Sequence, residues 1–296
     1  MFDEDSDGRE TSIAVALERA RTRLLITPQA ATAGRDAELL LRHVTGLSRA
    51  ALLTHPERPL GLGALEGFFQ AVERRAASEP VQYITGVQEF YGLEFLVTPA
   101  VLIPRPETEH LVEAALELAR SGQRLRQGGP RILDIGTGSG AIAVTLAHLL
   151  PEAFLSATDI SSEALAIAEQ NASRQHVRER IQFFLCDLFP TDAGPFDLIC
   201  SNPPYIPSAE VLEVQVAAFE PHSALFAGSD GLDIYRRLVP LAQAALKPGG
   251  WLLLEIGHGQ RADIESLLHA SHLENVRFVP DLQGIARVAV AQKRSE

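Results

Sequence analysis

The 296-residue chain predicts an α/β protein: a mostly parallel sheet preceded by a small N-terminal helical bundle and a β-hairpin linker. Three observations carry that expectation. From Arg131 onward, short apolar strand-like runs alternate with segments of helical spacing, as in parallel strands joined by crossover helices. The first of those runs ends in a glycine-rich turn, Gly136 to Gly140, that passes directly into a helical pattern. Before residue 80, apolar side chains recur at helical spacing.

Residues 11–78 read as short helices. Ile13, Leu17 and Leu24 share one face, Leu40, Leu41 and Val44 a second, and Leu65, Phe68 and Val72 a third. Pro28, Gly46, Pro56, Pro59 and the Gly61–Gly63 stretch punctuate them. Residues 1–80 are therefore expected to form a helical domain, and nothing in it resembles a catalytic constellation. Residues 81–105 change character. Gln82–Thr85 and Glu89–Val97 are aromatic and β-branched, with Gly86 and Gly92 at turn positions, so strands or a hairpin linking two domains are expected. Pro104 and Pro106 with Glu107 and Glu109 then open a helix through Ala119, since proline and carboxylates suit a helix N-terminus.

The sheet domain is expected over 106–296. After the loop Ser121–Pro130, the strand-like runs are Arg131–Ile135, Ala153–Thr158, Ile181–Leu185, Phe196–Cys200 and Trp251–Ile256. Helical patterns lie between them at Ala141–Leu150, Glu163–Arg174 and Leu232–Leu246.

Composition excludes several classes. A hydrophobic share of 46% with 22% charged residues supplies a normal core. No apolar run approaches the roughly 20 residues of a membrane-spanning helix, so no membrane partner is expected. The acidic start MFDEDSDGRE lacks the basic and apolar parts of a signal peptide, and a cytoplasmic location is expected. The net charge of −12, with Lys247 and Lys293 the only lysines, leaves no evident basic face for phosphates. Direct nucleic-acid contact is not expected, and a protein or small-molecule substrate is favoured. Cys186 and Cys200 sit in apolar strand-like segments without a C-x-x-C or a histidine at ligand spacing. They are expected to be small buried hydrophobes, with no metal site.

Asp134-Ile135-Gly136-Thr137-Gly138-Ser139-Gly140 is the strongest local feature. Glycine permits positive φ and lets backbone approach a ligand closely, and open α/β sheets bind ligands at strand carboxyl ends. Gly136-x-Gly138-x-x-Ala141 also satisfies the dinucleotide fingerprint, and Asp159 ends the next strand where an acid would hold ribose hydroxyls. On this segment a dehydrogenase and a nucleoside-dependent transferase both stand. Asp134, two residues before the first glycine, resembles the acidic D-x-G-x-G motif of class I methyltransferases with a Rossmann-like fold. There the carboxylate interacts with the ammonium of S-adenosyl-L-methionine. That family uses an acid and its neighbour at the end of the third strand near the adenine, here Asp187 and Leu188.

The fourth strand runs into Asn202-Pro203-Pro204-Tyr205. Two prolines lock φ and remove two backbone donors. The carbonyl before them is free to accept a hydrogen bond, Asn202 adds a side-chain acceptor and Tyr205 a flat ring. A planar –NH2 group finds an acceptor for each hydrogen and a stacking surface. An amide nitrogen is a poor nucleophile because its lone pair is delocalised. Accepting both N–H bonds raises its electron density and fixes it in line for attack. A dehydrogenase would need a substrate acid–base group such as His222 or His258, and neither explains this tetrapeptide.

Further motifs share one chain with these. They are Pro80–Gly86, Glu89–Gly92, Leu102–Glu109, Phe219-Glu220-Pro221, Leu225–Leu232 and Asp281–Arg287. In this order the chain resembles the PrmC/HemK family over nearly its whole length, most weakly before residue 78. The resemblance implies methylation of a glutamine side-chain amide on N5. The substrate would be the Gly-Gly-Gln loop of class-1 peptide chain release factors, and S-adenosyl-L-homocysteine the second product. It also implies a final antiparallel strand, with Ile285–Ala291 the candidate, and a helical domain that helps hold the release factor. Asp134, Gly136, Thr137, Gly138, Ser139, Gly140, Asp159, Asp187, Leu188 and Asn202 would contact the cofactor, as the resemblance has it. Asn202, Pro203 and Tyr205 would be catalytic, and together with Pro204 they would hold the glutamine. Arg105 and Glu107, in the Arg-Pro-Glu-Thr-Glu segment, would close over cofactor and glutamine as a lid. Many relatives have an aromatic residue where this chain has Leu188, and alanine is frequent at the position of Gln283. A glutamine methyltransferase acting on a ribosomal protein remains an alternative, as does, less favoured, an adenine-N6 nucleic-acid methyltransferase.

Overall fold

The computed structural model describes residues 11–121, 128–191 and 194–295. The acidic residues 1–10 and residues 122–127 of the loop before Arg131 lie outside them. The chain divides into two units, Met1–Gly86 with Glu213–Phe219, and Val87–Leu212 with Glu220–Glu296.

The first unit opens with α1 (Ile13–Leu25), α2 (Ala33–Thr45), α3 (Arg49–Thr54) and α4 (Leu62–Ala76). Ser12 and Ser48 cap α1 and α3 by accepting the Val15 and Ala51 N–H groups. Ile13 and Leu24 of α1 meet Leu40 and Leu41 of α2 and Phe68 and Val72 of α4 in one buried cluster, so the helical periodicity becomes a core. An ion pair is buried beside it. Asp36 Oδ2 accepts from Arg75 Nε at 2.6 Å and from Thr32 Oγ1 at 2.8 Å.

The expectation of strand at Gln82–Thr85 is corrected by a short helix, α5 (Val81–Thr85). Pro80 sets its start, and Gly86 ends it in the left-handed region at φ 77°, its N–H returning to the Gln82 carbonyl at 2.7 Å. Ile84 is buried in the bundle core. Packing on that core overrides the β-branched composition of so short a run.

The second unit begins with the expected hairpin, β1 (Val87–Phe90) and β2 (Leu93–Leu96), paired antiparallel. Tyr91 (φ 53°) and Gly92 (φ 76°) form its two-residue turn, both in the left-handed region such turns require. Phe90 and Phe95 are fully buried in this unit's core, edge to face at 5.9 Å. Then follow α6 (Glu109–Ser121), β3 (Arg131–Ile135), α7 (Ala141–Leu149), β4 (Phe154–Asp159), α8 (Ser162–Arg174), β5 (Ile181–Leu185) and β6 (Phe196–Ser201). A short helix, α9 (Val214–Phe219), belongs to the first unit, where Gln215 Oε1 accepts from Arg75 Nη1 at 3.2 Å. The chain closes with α10 (Asp233–Ala245), β7 (Leu246–Glu255), α11 (Arg261–Ala270), β8 (Leu273–Pro280) and β9 (Ala286–Lys293).

The seven-stranded sheet has the order β5-β4-β3-β6-β7-β9-β8. Strands β3 to β7 pair parallel, and β9 is antiparallel to both β7 and β8. Strand alternation sorts the core into two faces. Ile132, Leu198, Leu253 and Val290 pack with α6 and α7, whereas Leu133, Ile199, Leu252 and Ala289 pack with α10 and α11. Among the described residues no helix is long and apolar enough to cross a membrane.

Candidate active site

Strands β3 and β6 are neighbours, with Ile135 paired to Ser201, and the Ser201 hydroxyl donates to the Ile135 carbonyl at 2.7 Å. The chain leaves β3 toward β4 on one side and β6 toward β7 on the other. A sheet opens a crevice where its connections diverge in this way. The glycine turn after β3 and Asn202–Pro204 after β6 therefore face one cleft of about 290 Å³.

Gly136 (φ 69°) and Gly138 (φ 56°) line that cleft, with open space where a Cβ would stand. Gly140 (φ 83°) is bare for a packing reason. A Cβ there would meet Val144 at 3.1 Å and Ala168 at 3.2 Å, so its absence lets α7 approach α8. Thr137 and Ser139 also line the cleft, and the Thr137 N–H donates to the Thr158 carbonyl at 2.8 Å.

Asp134 is fully buried and is not among the described residues that line the cleft. Its Oδ2 accepts from Thr137 Oγ1 at 2.6 Å and from the Ala143 N–H at 3.2 Å, so it braces the turn. Its Oδ1 has no hydrogen-bond partner. Burial pushes its pKa up to about 7; the two hydrogen bonds oppose that shift, and the charge of Asp159 adds to it. Asp159, at the end of β4, lines the cleft while accepting from the Gly138 and Ser161 N–H groups, each at 2.9 Å.

Beyond β5, Asp187 and Leu188 line the far end. Leu188 is held in the left-handed region at φ 67°, and its carbonyl accepts from Thr158 Oγ1 at 2.9 Å. Asp187 pairs with Arg237 of α10, a cleft residue that the sequence offered no signal for. Cys200 is buried in β6 as expected, but Cys186 corrects the reading of two core cysteines, because it stands at the cleft wall after β5 has ended.

Asn202, Pro203 and Pro204 line the near end. Asn202 Nδ2 donates to Thr108 Oγ1 at 3.1 Å, and Thr108 Oγ1 donates to Glu255 Oε2 at 2.6 Å. Thr108 and Glu255 are both buried; Thr108 lies within the Leu102–Glu109 motif, whereas Glu255 was not singled out from sequence. Tyr205 is not among the described cleft-lining residues. Its ring packs against the α10 face of the core, and its carbonyl accepts from Gln260 Nε2 at 3.0 Å. The Leu225–Leu232 motif explains itself here. The Ile206 N–H donates to the Leu225 carbonyl at 2.9 Å, and a Cβ on Gly231 would collide with the Tyr205 carbonyl.

Arg105 lines the cleft and pairs with Glu220, whose carboxylate also accepts from the Ile103 N–H at 3.3 Å. The Phe219-Glu220-Pro221 motif thus anchors the segment before α6. Glu107 is half-buried and is not among the described residues lining the cleft. Its charge is felt by Glu255 and by the Tyr205 phenol.

The chain is similar to known proteins in sequence and in fold. The family model of the PrmC N-terminal domain matches residues 16–86, and that of the methyltransferase small domain matches residues 118–220. The fold is similar to that of the hMettl16 catalytic domain in complex with a 3′UTR hairpin, with a TM-score of 0.56 at 14% identity over 85% of this chain and 95% of that one. A release factor glutamine methyltransferase of Koribacter versatilis is 48% identical over 262 residues, 87% of this chain and 90% of the relative. One from Bradyrhizobium diazoefficiens is 45% identical over 284 residues, 94% of this chain and 95% of the relative. At that identity and coverage, with the glycine turn and Asn202–Pro204 facing one cleft, the chain belongs to the release factor glutamine methyltransferase family.

Proposed function

We propose that this protein methylates the side-chain nitrogen N5 of the glutamine in the Gly-Gly-Gln loop of class-1 peptide chain release factors. The observation that carries the reading is the shared cleft: Asn202 and Pro203 stand on one wall, and Gly136 and Gly138 on another. Because Asn202 Nδ2 is committed to Thr108, the Asn202 carbonyl oxygen is the group left to accept from a substrate amide.

The cleft fits S-adenosyl-L-methionine on its own chemistry. Two glycines leave the turn bare for close approach, and Asp159 offers acceptors for ribose hydroxyls at the wall. Asp134 Oδ1 is unpartnered beneath the turn, and a ligand ammonium there would favour the ionised carboxylate. Bound there, S-adenosyl-L-methionine supplies an electrophilic methyl group on a sulfonium and leaves as S-adenosyl-L-homocysteine.

Asn202 Oδ1 and a main-chain carbonyl of Asn202–Tyr205 accept the two N–H bonds of the glutamine. Pro203 and Pro204 hold that segment rigid, while Tyr205, anchored by Gln260, sets its exit. Positioning and electrostatics supply the acceleration, and the extra proton leaves nitrogen after methylation. Asp187 and Leu188 serve the adenine end, Gly140 and Ser139 shape the turn, and Arg105 and Glu107 form the covering segment. The helical domain 1–80 helps hold the release factor, residues 81–105 link it to the domain 106–296, and the protein works in the cytoplasm without contacting nucleic acid directly.

The test is transfer of labelled methyl from S-adenosyl-L-methionine to a purified class-1 release factor, beside a Gly-Gly-Ala substrate variant and an Asn202→Ala enzyme. Label with the intact glutamine and wild-type enzyme alone is expected. Cofactor binding without transfer to any release factor would reject the substrate.

A further inference from the structure

We infer that Glu255 is a positioning residue for methyl transfer: through the Thr108 hydroxyl it sets which end of the Asn202 amide faces the cleft. The inference rests on the role given to Asn202 above. A threonine hydroxyl has one proton. Here Thr108 donates it to Glu255 Oε2, so only lone pairs remain toward Asn202, and they accept Asn202 Nδ2. An amide whose nitrogen is committed inward presents its oxygen outward. The three groups come from the turn before α6, the loop after β6 and the end of β7. Thr108 is 4% and Glu255 2% exposed, so Glu255 lies behind Thr108, which stands with Asn202 on the cleft wall.

The polarity depends on charge. A protonated Glu255 can donate to Thr108 instead, which frees the threonine proton for Asn202 Oδ1. The amide then turns over and offers N–H donors to a substrate amide that itself needs acceptors. Burial pushes the Glu255 pKa up to about 7. The Thr108 hydrogen bond opposes that shift, the charge of Glu107 adds to it, and Arg287 and Asn202 oppose it. The groups around Glu255 are Thr108 and Glu107 before α6, Asn202 and the Tyr205 phenol after β6, and Arg287 on β9. From α10, the Tyr235 hydroxyl donates to the Glu255 main-chain carbonyl at 2.6 Å. Arg287 is itself tied to Asp281 at 2.9 Å, which gives the Asp281–Arg287 motif a share in setting this carboxylate.

The experiment follows kcat and KM for methyl transfer to a release factor from pH 5.5 to 9. In the wild type kcat falls as pH drops through about 7, because the protonated relay inverts. Thr108→Val removes the hydroxyl at constant volume and is expected to lower kcat about tenfold or more, with cofactor Kd changed less than about twofold. Thr108→Ser is expected to restore most of that loss. Glu255→Gln removes the acid limb; a limb persisting in that variant belongs to Asp134, and overturns the assignment. Equal kcat and equal pH profiles for Thr108→Val and wild type also overturn it. A second arm needs no substrate: the side-chain NH2 resonances of Asn202 in 15N-labelled enzyme should titrate with Glu255 and lose that response in Thr108→Val. If the wild type transfers no methyl to release factors, the proposed substrate falls while this arm still decides the relay. An Asn202 signal indifferent to pH would sink it.

Discussion

Replacing Asn171 by alanine should weaken the sheet unit by about 3 kcal/mol. Asn171 is fully buried on α8, and its amide spans two elements. Its Oδ1 accepts from the Leu96 N–H at 2.7 Å, and its Nδ2 donates to the Leu96 carbonyl at 2.9 Å and to the Ser139 carbonyl at 2.8 Å. One side chain thereby ties the β1–β2 hairpin to the turn that lines the cleft. Three hydrogen bonds at roughly 1 kcal/mol net each give about 3 kcal/mol, with a further cost for buried groups left unpaired. The better helix propensity of alanine returns only about 0.5 kcal/mol. Trp251 is the only tryptophan and lies on β7, so urea unfolding followed by its fluorescence reports this unit. With a slope of about 2 kcal/mol per molar urea, the midpoint should fall by about 1.5 M. Asn171→Asp should be at least as damaging, since it sets a buried charge against two carbonyls. A midpoint shift below about 0.3 M for Asn171→Ala would refute the reasoning.

The buried pair in the helical unit makes a separate forecast. Asp36→Ala leaves Arg75 uncompensated and should cost about 3–5 kcal/mol, read by helical circular dichroism during unfolding. Gly231→Ala should depress methyl transfer far more than cofactor affinity, because the added methyl pushes on the Tyr205 carbonyl and leaves the glycine turn alone; equal kcat would contradict this. Asp134 supplies a pH forecast. Its folded pKa of about 7 lies above the ordinary aspartate value of 3.8, so the folded state holds the extra proton between them. The ligand-free unit therefore loses stability as pH rises from about 4 to about 7, by up to about 1.4 kcal/mol per pH unit from this group. Asp134→Asn should flatten that slope, and cofactor affinity in the wild type should rise over the same window as the carboxylate ionises.

Much of the architecture was legible because it is written in local chemistry. Apolar periodicity of 3.6 located α1, α2 and α4, and alternation with helices located the five parallel strands, within about a residue for β3 to β6, whereas β7 begins at Leu246 and not at Trp251. Glycine and proline marked the two cleft segments because their backbone constraints act regardless of surroundings. Local chemistry failed where an element is short or polar. Val81–Thr85 carried strand composition yet turned helical on the bundle core. Strand β8 buries little beyond Leu273, so no apolar pattern announced it. The family and its chemistry came from the order of the motifs, not from periodicity.

Tertiary structure alone decided which groups meet. The relay joining Asn202 to Thr108 spans 94 residues of sequence, and the one joining Thr108 to Glu255 spans 147. A hydroxyl, an amide and a carboxylate carry no mark of their partners along a chain. Only the parallel pairing of β3 with β6 and of β6 with β7 brings the strand ends together, and only burial there makes the direction of one hydroxyl proton matter.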